Sequence, residues 1–277
     1  MTTTAVQEHA PDAAIYNLAS SGQGAALSLF AKVAARLVQY AELRDGHIVL
    51  DVATGSGAAA IAAGRAVAPS GKVVAIDVAQ GMIAQVESNV RAAHRSNVEV
   101  KEGRAMQIEF SDNTFDEVIC SSAIFVLPDV PGALKEWMRV AKPGGQVAFT
   151  TYRESIFQPL SGLFEKRIRN YGVALPTARP FSWQSLSEPQ KCRELLKNAG
   201  LMGISVMVEQ TGYNLRRADD WWELLWNTGF RDYLGALSRR KLEQFRSEHL
   251  EEVNALKTAS GIWLDVPVIF AFGQKPS

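Results

Sequence analysis

The chain has 277 residues, 47% of them hydrophobic and 21% charged, a make-up that can bury a sizeable core without outside support. Its 29 basic and 29 acidic residues cancel, which removes the attraction on which sequence-independent nucleic-acid binding rests and excludes DNA and RNA as expected partners. The first residues lack the basic flank and apolar core of a signal peptide, no later stretch reaches membrane-spanning length, and Cys120 and Cys192 have no zinc or disulfide spacing, so the expectation is a soluble, cytoplasmic protein with no membrane contact.

After a tail to about Ala14, residues 25–37 carry helix formers with apolar residues at three- and four-residue spacing, which predicts an N-terminal helix packed on the sheet. From His47 the pattern changes to short apolar runs, each closed by Gly or Asp and followed by a helical stretch, the signature of βαβ units. Strands are expected at 47–52, 72–77, 97–101, 115–120 and 144–151, with helices at 58–68, 80–94 and 130–141 between them. Right-handed crossovers place those helices on both faces of the sheet. Past Tyr152 the alternation stops, and residues 153–188, rich in Phe, Tyr, Pro and Arg, read as an inserted cap. A helix at 189–199, a strand near 203–211, helical stretches at 218–227 and 239–257 and a last strand at 261–272 follow.

The fold class is therefore expected to be α/β: a Rossmann-like, doubly wound, mostly parallel seven-stranded sheet with a mainly helical cap. The chain divides into a tail and helices over the cofactor site (1–42), a cofactor-binding core (43–152), the cap (153–188) and a C-terminal part with a helical lid and the last strand (189–277).

The strand Ile48-Val49-Leu50-Asp51 runs into Val52-Ala53-Thr54-Gly55-Ser56-Gly57, and the small-residue helix Ala58-Ala59-Ala60-Ile61 follows at once. Glycines there let backbone approach a ligand, and the helix N-terminus offers unpaired N–H groups. Gly55-x-Gly57-x-x-Ala60, with Asp77 some twenty residues on, also satisfies the dinucleotide fingerprint, so an NAD-dependent oxidoreductase stands as an alternative. Asp51 argues against it, because a carboxylate at the strand end lies where a pyrophosphate needs positive potential. S-Adenosylmethionine carries an ammonium and a sulfonium and no phosphate, which suits that charge. Asp77, closing Val73-Val74-Ala75-Ile76, can accept from both ribose hydroxyls or cap the helix after it.

On these residues the chain resembles the class I S-adenosylmethionine-dependent methyltransferases, and in motif the ubiquinone/menaquinone-biosynthesis methyltransferase group with its natural-product relatives. The resemblance covers about residues 45–152 and rests on four motifs in order: Val49 to Gly57, Val74 to Met82, Ser111 to Val118, and Arg139-Val140-Ala141-Lys142-Pro143-Gly144-Gly145. It implies that backbone around Ala53 and Gly55, with Thr54 and Gly57 in the same loop, holds the methionine part of the cofactor. It further implies that Asp77 holds the ribose, that Val78 and Met82 pack on the adenine, and that backbone at Ser121 and Ser122 meets the methionine ammonium. Tyr16 and Asn17 resemble the segment with which relatives close over the cofactor; otherwise they lead into the first helix. Two departures stand out. Ala53 occupies a position where the family usually has glycine, and a negative φ is expected to tolerate it. Arg104 stands where relatives place an Asp that accepts from the adenine amino group, and a guanidinium has only donors. Adenine is then expected to rest on backbone at Ala105 and Met106, with Arg104 solvated.

Methyl transfer from a sulfonium is an in-line displacement, so the protein chiefly has to orient two reactants in a dry pocket, an effect worth roughly 7–11 kcal/mol. A base is needed only if the acceptor must lose a proton. The substrate-facing candidates are Phe157, Trp183, Trp222 and Trp226, the last two sharing a helix face at i,i+4. Four of the six tryptophans fall in the cap and lid, which points to a small apolar or aromatic substrate, although the same rings would also anchor the lid to the core. His249 is the candidate base because Leu242, Phe245, His249, Val253 and Leu256 form one inward stripe; a buried, hydrogen-bonded histidine is the other reading. The function expected is methyl transfer from S-adenosyl-L-methionine to O, N or C of a small molecule, with no metal. A non-catalytic, cofactor-binding regulatory protein is the remaining alternative, and a homodimer is left open.

Overall fold

The computed structural model describes residues 25–175 and 186–277. Helix α1 (Ala25–Tyr40) leads into β1 (Ile48–Val52), α2 (Ala58–Ala66), β2 (Lys72–Asp77), α3 (Gln80–Ala92), β3 (Val98–Glu102), β4 (Phe115–Cys120), α4 (Val130–Val140) and β5 (Ala141–Tyr152). Beyond these come α5 (Leu160–Asn170), α6 (Pro189–Asn198), β6 (Met202–Gln210), β7 (Tyr213–Leu215), α7 (Ala218–Trp226), α8 (Arg231–Gly235), α9 (Arg239–Asn254), β8 (Ile262–Leu264) and β9 (Pro267–Gln274).

Seven strands form one sheet in the order β3-β2-β1-β4-β5-β9-β6. The first five pair in parallel, and β9 runs antiparallel between β5 and β6. Strands buried on both faces are read as continuous apolar runs, which is why Val73-Val74-Ala75-Ile76 and Val118-Ile119-Cys120 show no alternation. One face is covered by Leu29, Val33 and Leu37 of α1 with Ala59, Ala60 and Ala63 of α2, the other by Trp137 of α4 and Cys192 and Leu196 of α6. Small residues on α2 set its close approach: a Cβ at Gly64 would stand 2.6 Å from Val98 Cγ2. The strand order reverses between β1 and β4, which opens a crevice outside the C-terminal ends of those strands, the position at which open α/β sheets take ligands.

The cap expected to be mainly helical contains, among its described residues, a helix, α5, and its Phe164 is the hub of the lid, with ring centroids 5.0 Å from Phe230 and 5.5 Å from Phe245. One expectation needs correction: the last strand is two. Leu264 pairs with Tyr213 in a separate two-stranded sheet, the chain bends at Asp265-Val266, and Pro267 then pairs with Gln210 in the main sheet. The bend is held by Thr211 N–H to the Val266 carbonyl (2.9 Å) and by Gln210 Nε2 to Asp265 Oδ1 (2.7 Å). A continuous apolar pattern cannot report a change of pairing partner.

The sheet also buries a carboxylic acid. Glu117 on β4 lies across from Gln146 on β5, is 5% exposed, and its Oε2, like Gln146 Oε1, has no partner among the described residues. Burial, with the neighbouring Asp116 charge adding to it, pushes the Glu117 carboxyl up to about 8. Between its unfolded value and that pH the folded state binds the extra proton, so stability is full below the unfolded value and is lost as pH rises through about 8. Glu117→Gln is expected to raise unfolding free energy at pH 8 by about 2 kcal/mol and to leave it nearly unchanged at pH 4, read from urea midpoints. An equal effect at both pH values would refute the buried-acid account.

Candidate active site

The turn from β1 into α2 is built on three left-handed residues, Ala53 (φ 53), Gly55 (φ 55) and Gly57 (φ 83). It is held from below by Thr54 N–H to the Ile76 carbonyl (3.0 Å) and Gly57 N–H to the Thr54 carbonyl (2.9 Å), and from the side by Asn89 Nδ2 to the Ser56 carbonyl (2.9 Å). The two glycines face different surroundings. A Cβ on Gly57 would stand 2.1 Å from Cγ2 of Val86 on α3, whereas a Cβ on Gly55 would have no atom within 4 Å. Gly57 permits packing; Gly55 leaves a bare face open to the crevice.

Ala53 does not have the negative φ expected of it. A Cβ in that region costs about 1–2 kcal/mol, so the chain holds a conformation that favours glycine with an alanine in it. Ala53→Gly is expected to raise stability by about 1 kcal/mol, or Tm by about 2–4 °C, with the larger unfolded-state entropy of glycine subtracting part of the gain. A Tm that falls would show that the alanine methyl contributes packing worth more than the strain.

Two carboxylates flank this turn. Asp51 is 1% exposed; its Oδ2 accepts from Thr54 Oγ1 at 2.6 Å, and its Oδ1 has no hydrogen-bond partner among the described residues. Burial pushes its carboxyl up to about 7, opposed by the Thr54 hydrogen bond and the nearby Ala60 backbone and helped by the Asp77 charge. Asp77, at the end of β2, accepts the Gly55 N–H at 2.9 Å and the Ala79 N–H at 3.0 Å. It therefore fastens the glycine turn to the start of α3, whose N-cap residue is Ala79 and not Asp77. Burial raises its pKa, while the Ala79, Gly55 and Val78 backbone groups oppose the shift.

Around these lie the other cofactor candidates. Val78 is 44% exposed, an unusual surface for valine, and Met82 behind it is buried. Arg104 is exposed and pairs with no carboxylate among the described residues. The Ala105 carbonyl accepts from Trp137 Nε1 at 2.9 Å, which anchors the Ala105-Met106 backbone over α4. Ser121, half-buried, follows β4 directly, as Ala53 follows β1, and the two strands pair up to Asp51–Ile119. Tyr16, Asn17 and Trp183 lie outside the described residues.

The lid candidates are brought together with one another. Phe157 is 5% exposed and meets Trp221 at 5.7 Å, while Trp222 touches Trp226 at 6.3 Å and Phe245 at 6.2 Å. Phe157 is thus a core residue of the lid, and Trp222 and Trp226 are only half-buried. His249 as a base is corrected outright. It is 0% exposed, its Nε2 accepts from Trp221 Nε1 at 2.9 Å, and its Nδ1 lies 3.6 Å from Glu252. Burial pushes its pKa down to about 4 despite Glu252, so the ring is neutral, sealed and committed to the lid. Glu252 in turn pairs with Arg167 of α5 at 2.7 Å, which ties α9 to α5. The sequence had not singled out Trp221 as the partner of His249, although both fall on the inward stripes of their helices.

The later motifs are scaffold. Asp116 accepts the Ile48 N–H at 2.8 Å and Lys142 Nζ at 2.7 Å, locking β4 to β1 and to the start of β5. Arg139 donates to the Ile108 and Phe110 carbonyls at 2.7 and 2.8 Å and pins the loop that leads away from Ala105 and Met106. Among the described residues no cluster of His, Cys, Asp or Glu could hold a metal ion, and no helix is long and apolar enough to cross a membrane.

An S-adenosylmethionine-shaped ligand fits what is present. The orphaned Asp51 oxygen suits a cation, the open face of Gly55 gives the ligand room, Asp77 ends beside it, and Val78 offers an uncovered apolar surface. Comparison with known proteins agrees. Residues 27–176, more than half the chain, match the ubiE/COQ5 methyltransferase family. A demethylmenaquinone methyltransferase from Shouchella clausii is 33% identical over 175 residues, covering 60% of this chain and 74% of that protein. One from Bacillus cereus is 39% identical over 180 residues, with the same coverage of 60% and 74%. Among solved structures, the YcgJ protein from Bacillus subtilis superposes with a TM-score of 0.59 at 20% identity, over 88% of this chain and 98% of the other. A SAM dependent methyltransferase from Aquifex aeolicus gives 0.51 at 17% identity, over 88% and 91%. Motif, cradle geometry and sequence relationship converge, and the chain belongs to the ubiE/COQ5 family as an S-adenosylmethionine-dependent methyltransferase.

Proposed function

We propose that the chain methylates a quinone-like or other oxygen-bearing aromatic small molecule in the cytoplasm. The observation that carries this reading is the paired-carboxylate cradle, with its orphaned Asp51 oxygen beside the bare face of Gly55. The acceptor class is supported by the demethylmenaquinone methyltransferases among its relatives and by the aromatic interior of the lid. The cytoplasm is supported by two buried free thiols, Cys120 and Cys192.

When bound, S-adenosylmethionine supplies an electrophilic methyl on sulfur, and the protein's part is placement. Asp51 faces the ammonium, Asp77 takes the ribose hydroxyls, Gly55 lets backbone lie against the methionine portion, and Val78 covers the adenine. Arg104, solvated, leaves the adenine to backbone at Ala105 and Met106. Two carboxylates and no basic group on the turn are the wrong potential for a pyrophosphate, which sets aside the nicotinamide alternative.

Isothermal titration with S-adenosylhomocysteine, with NAD as the comparison ligand, tests the cofactor half. Micromolar binding of the former and none of the latter is expected, and affinity should rise with pH through about 7 as Asp51 ionises to meet the ammonium. NAD binding with no response to the homocysteine nucleoside would return Asp77 to the dinucleotide reading. The catalytic half is tested by transfer of a labelled methyl group to a short-chain demethylmenaquinol; tight cofactor binding with no transfer to this or any aromatic acceptor would favour the regulatory alternative.

A further inference from the structure

Ser122 occupies the left-handed region, at φ 59, where a residue with a Cβ is strained. Two side chains of β5 hold it there. Thr150 Oγ1 accepts its backbone N–H at 2.8 Å, and the Tyr152 hydroxyl donates to its Oγ at 2.7 Å. Residues 150 and 152 project from the same face of a strand, so one rigid element fixes both the main chain and the side chain of a single loop residue. Thr150 is 0% and Tyr152 5% exposed, and the Phe125 ring closes over Tyr152 at 5.7 Å. Ser122 itself is only half-buried.

This arrangement does more than satisfy a buried phenol. A tyrosine hydroxyl can be paired by any neighbouring carbonyl, with no need for a strained backbone or for a second clamp from Thr150. Strained residues persist where the surroundings over-determine them and cluster at functional sites, and here β5 fixes both the main chain and the side chain. With Tyr152 donating into Oγ, the Ser122 proton has no acceptor among the described residues, and a hydroxyl that accepts one bond becomes a stronger donor of the next. Burial raises the Tyr152 pKa further, so its proton stays in place throughout the neutral range. The location is also specific. Ser122 is the second residue past the end of β4, which pairs with β1 up to Asp51–Ile119, and so lies beyond the C-terminal ends of these strands, where open α/β sheets take ligands.

We propose that the Ser122 hydroxyl is the donor that seats an oxygen of the methyl acceptor, a quinone-type carbonyl or hydroxyl, with Tyr152 and Thr150 as its positioning residues. The inference deepens the acceptor reading given above and rests on it. Seating that oxygen fixes the ring relative to the sulfonium axis, which is the orientation the displacement requires.

The informative variant is Ser122→Gly, because glycine adopts the observed φ without strain while removing the hydroxyl. With a short-chain demethylmenaquinol as the probe, Ser122→Gly is expected to keep Tm and S-adenosylhomocysteine affinity at or near wild type. Its kcat/KM should fall about 20- to 100-fold, mainly through KM, as for a lost hydrogen bond to a bound oxygen. Tyr152→Phe should fall by about 3- to 10-fold in the same parameter with the same unchanged cofactor affinity. A purely structural pair would instead lower Tm in Tyr152→Phe and leave kcat/KM of both variants within about threefold of wild type, and that result overturns the proposal. If the wild-type chain binds the cofactor but leaves the probe unmethylated, the acceptor class fails and the seat fails with it. Wild-type turnover with an unimpaired Ser122→Gly removes the seat alone.

Discussion

Asp77→Ala should weaken S-adenosylhomocysteine binding by about 100-fold or more, equivalent to about 2.7 kcal/mol. Two losses combine. A carboxylate accepting from two hydroxyls contributes charge-assisted bonds of about 1.5–3 kcal/mol each when made. In addition, the Gly55 and Ala79 N–H groups, now at 2.9 and 3.0 Å from the carboxylate, lose their acceptor, and the turn that should lie against the methionine portion is no longer fastened to β2 and α3. The cost to the fold is smaller, because removing Asp77 also relieves the burial that raises its pKa. Titration calorimetry and thermal unfolding on the same preparation separate the two quantities. A Tm loss with affinity within threefold of wild type would make Asp77 a helix-entry residue and nothing more.

The paired glycines give the second large effect, and it is a contrast. Gly57→Ala places a methyl 2.1 Å from Val86 Cγ2, in a fully buried contact, at φ 83. Overpacking and the left-handed backbone together should cost about 3–5 kcal/mol, enough to leave little folded protein at 37 °C. Gly55→Ala meets no neighbour and bears only the backbone term of about 1–2 kcal/mol, so it should fold with Tm lowered by a few degrees. Its methyl fills the open face of the cradle, however, and cofactor affinity should drop about 100-fold. Circular dichroism and calorimetry on the two variants decide the matter. A folded, binding-competent Gly57→Ala, or a Gly55→Ala with normal affinity, would contradict the division of labour.

Strand positions were legible because burial on both faces leaves a mark in composition: the run at 72–77 and that at 115–120 coincide with β2 and β4. The crevice was legible for the same reason, since the glycine turn and the two aspartates are local in sequence. What escaped was set by distant partners. The bounds of helix α5 within the cap depend on rings from Phe230, just before α8, and from α9, which its own sequence does not announce. The break between β8 and β9 depends on where β6 ends and β7 begins. The φ of Ala53 follows from the grip of Ile76 and Thr54 on the residues after it, a tertiary demand that overrides alanine's own preference. His249 faces inward, as its helical stripe required; that it would be bonded to Trp221 instead of a substrate could not be read from spacing.

The placing of β9 has a consequence for how the protein comes into being. This strand lies between β5 and β6 and pairs with both, yet it is the last of the strands to be synthesised. Until it inserts, β6 has no neighbour in the sheet, and β5 presents an open edge to the solvent. The helices α7, α8 and α9 lie in sequence between β6 and β9, so the lid is tethered on one side to a strand that needs β9 for its only sheet contact among the described residues and on the other to β9 itself. Sheet closure and lid placement thus share a single strand, and loss of β9 would leave β6 without a sheet neighbour and β5 with an open edge.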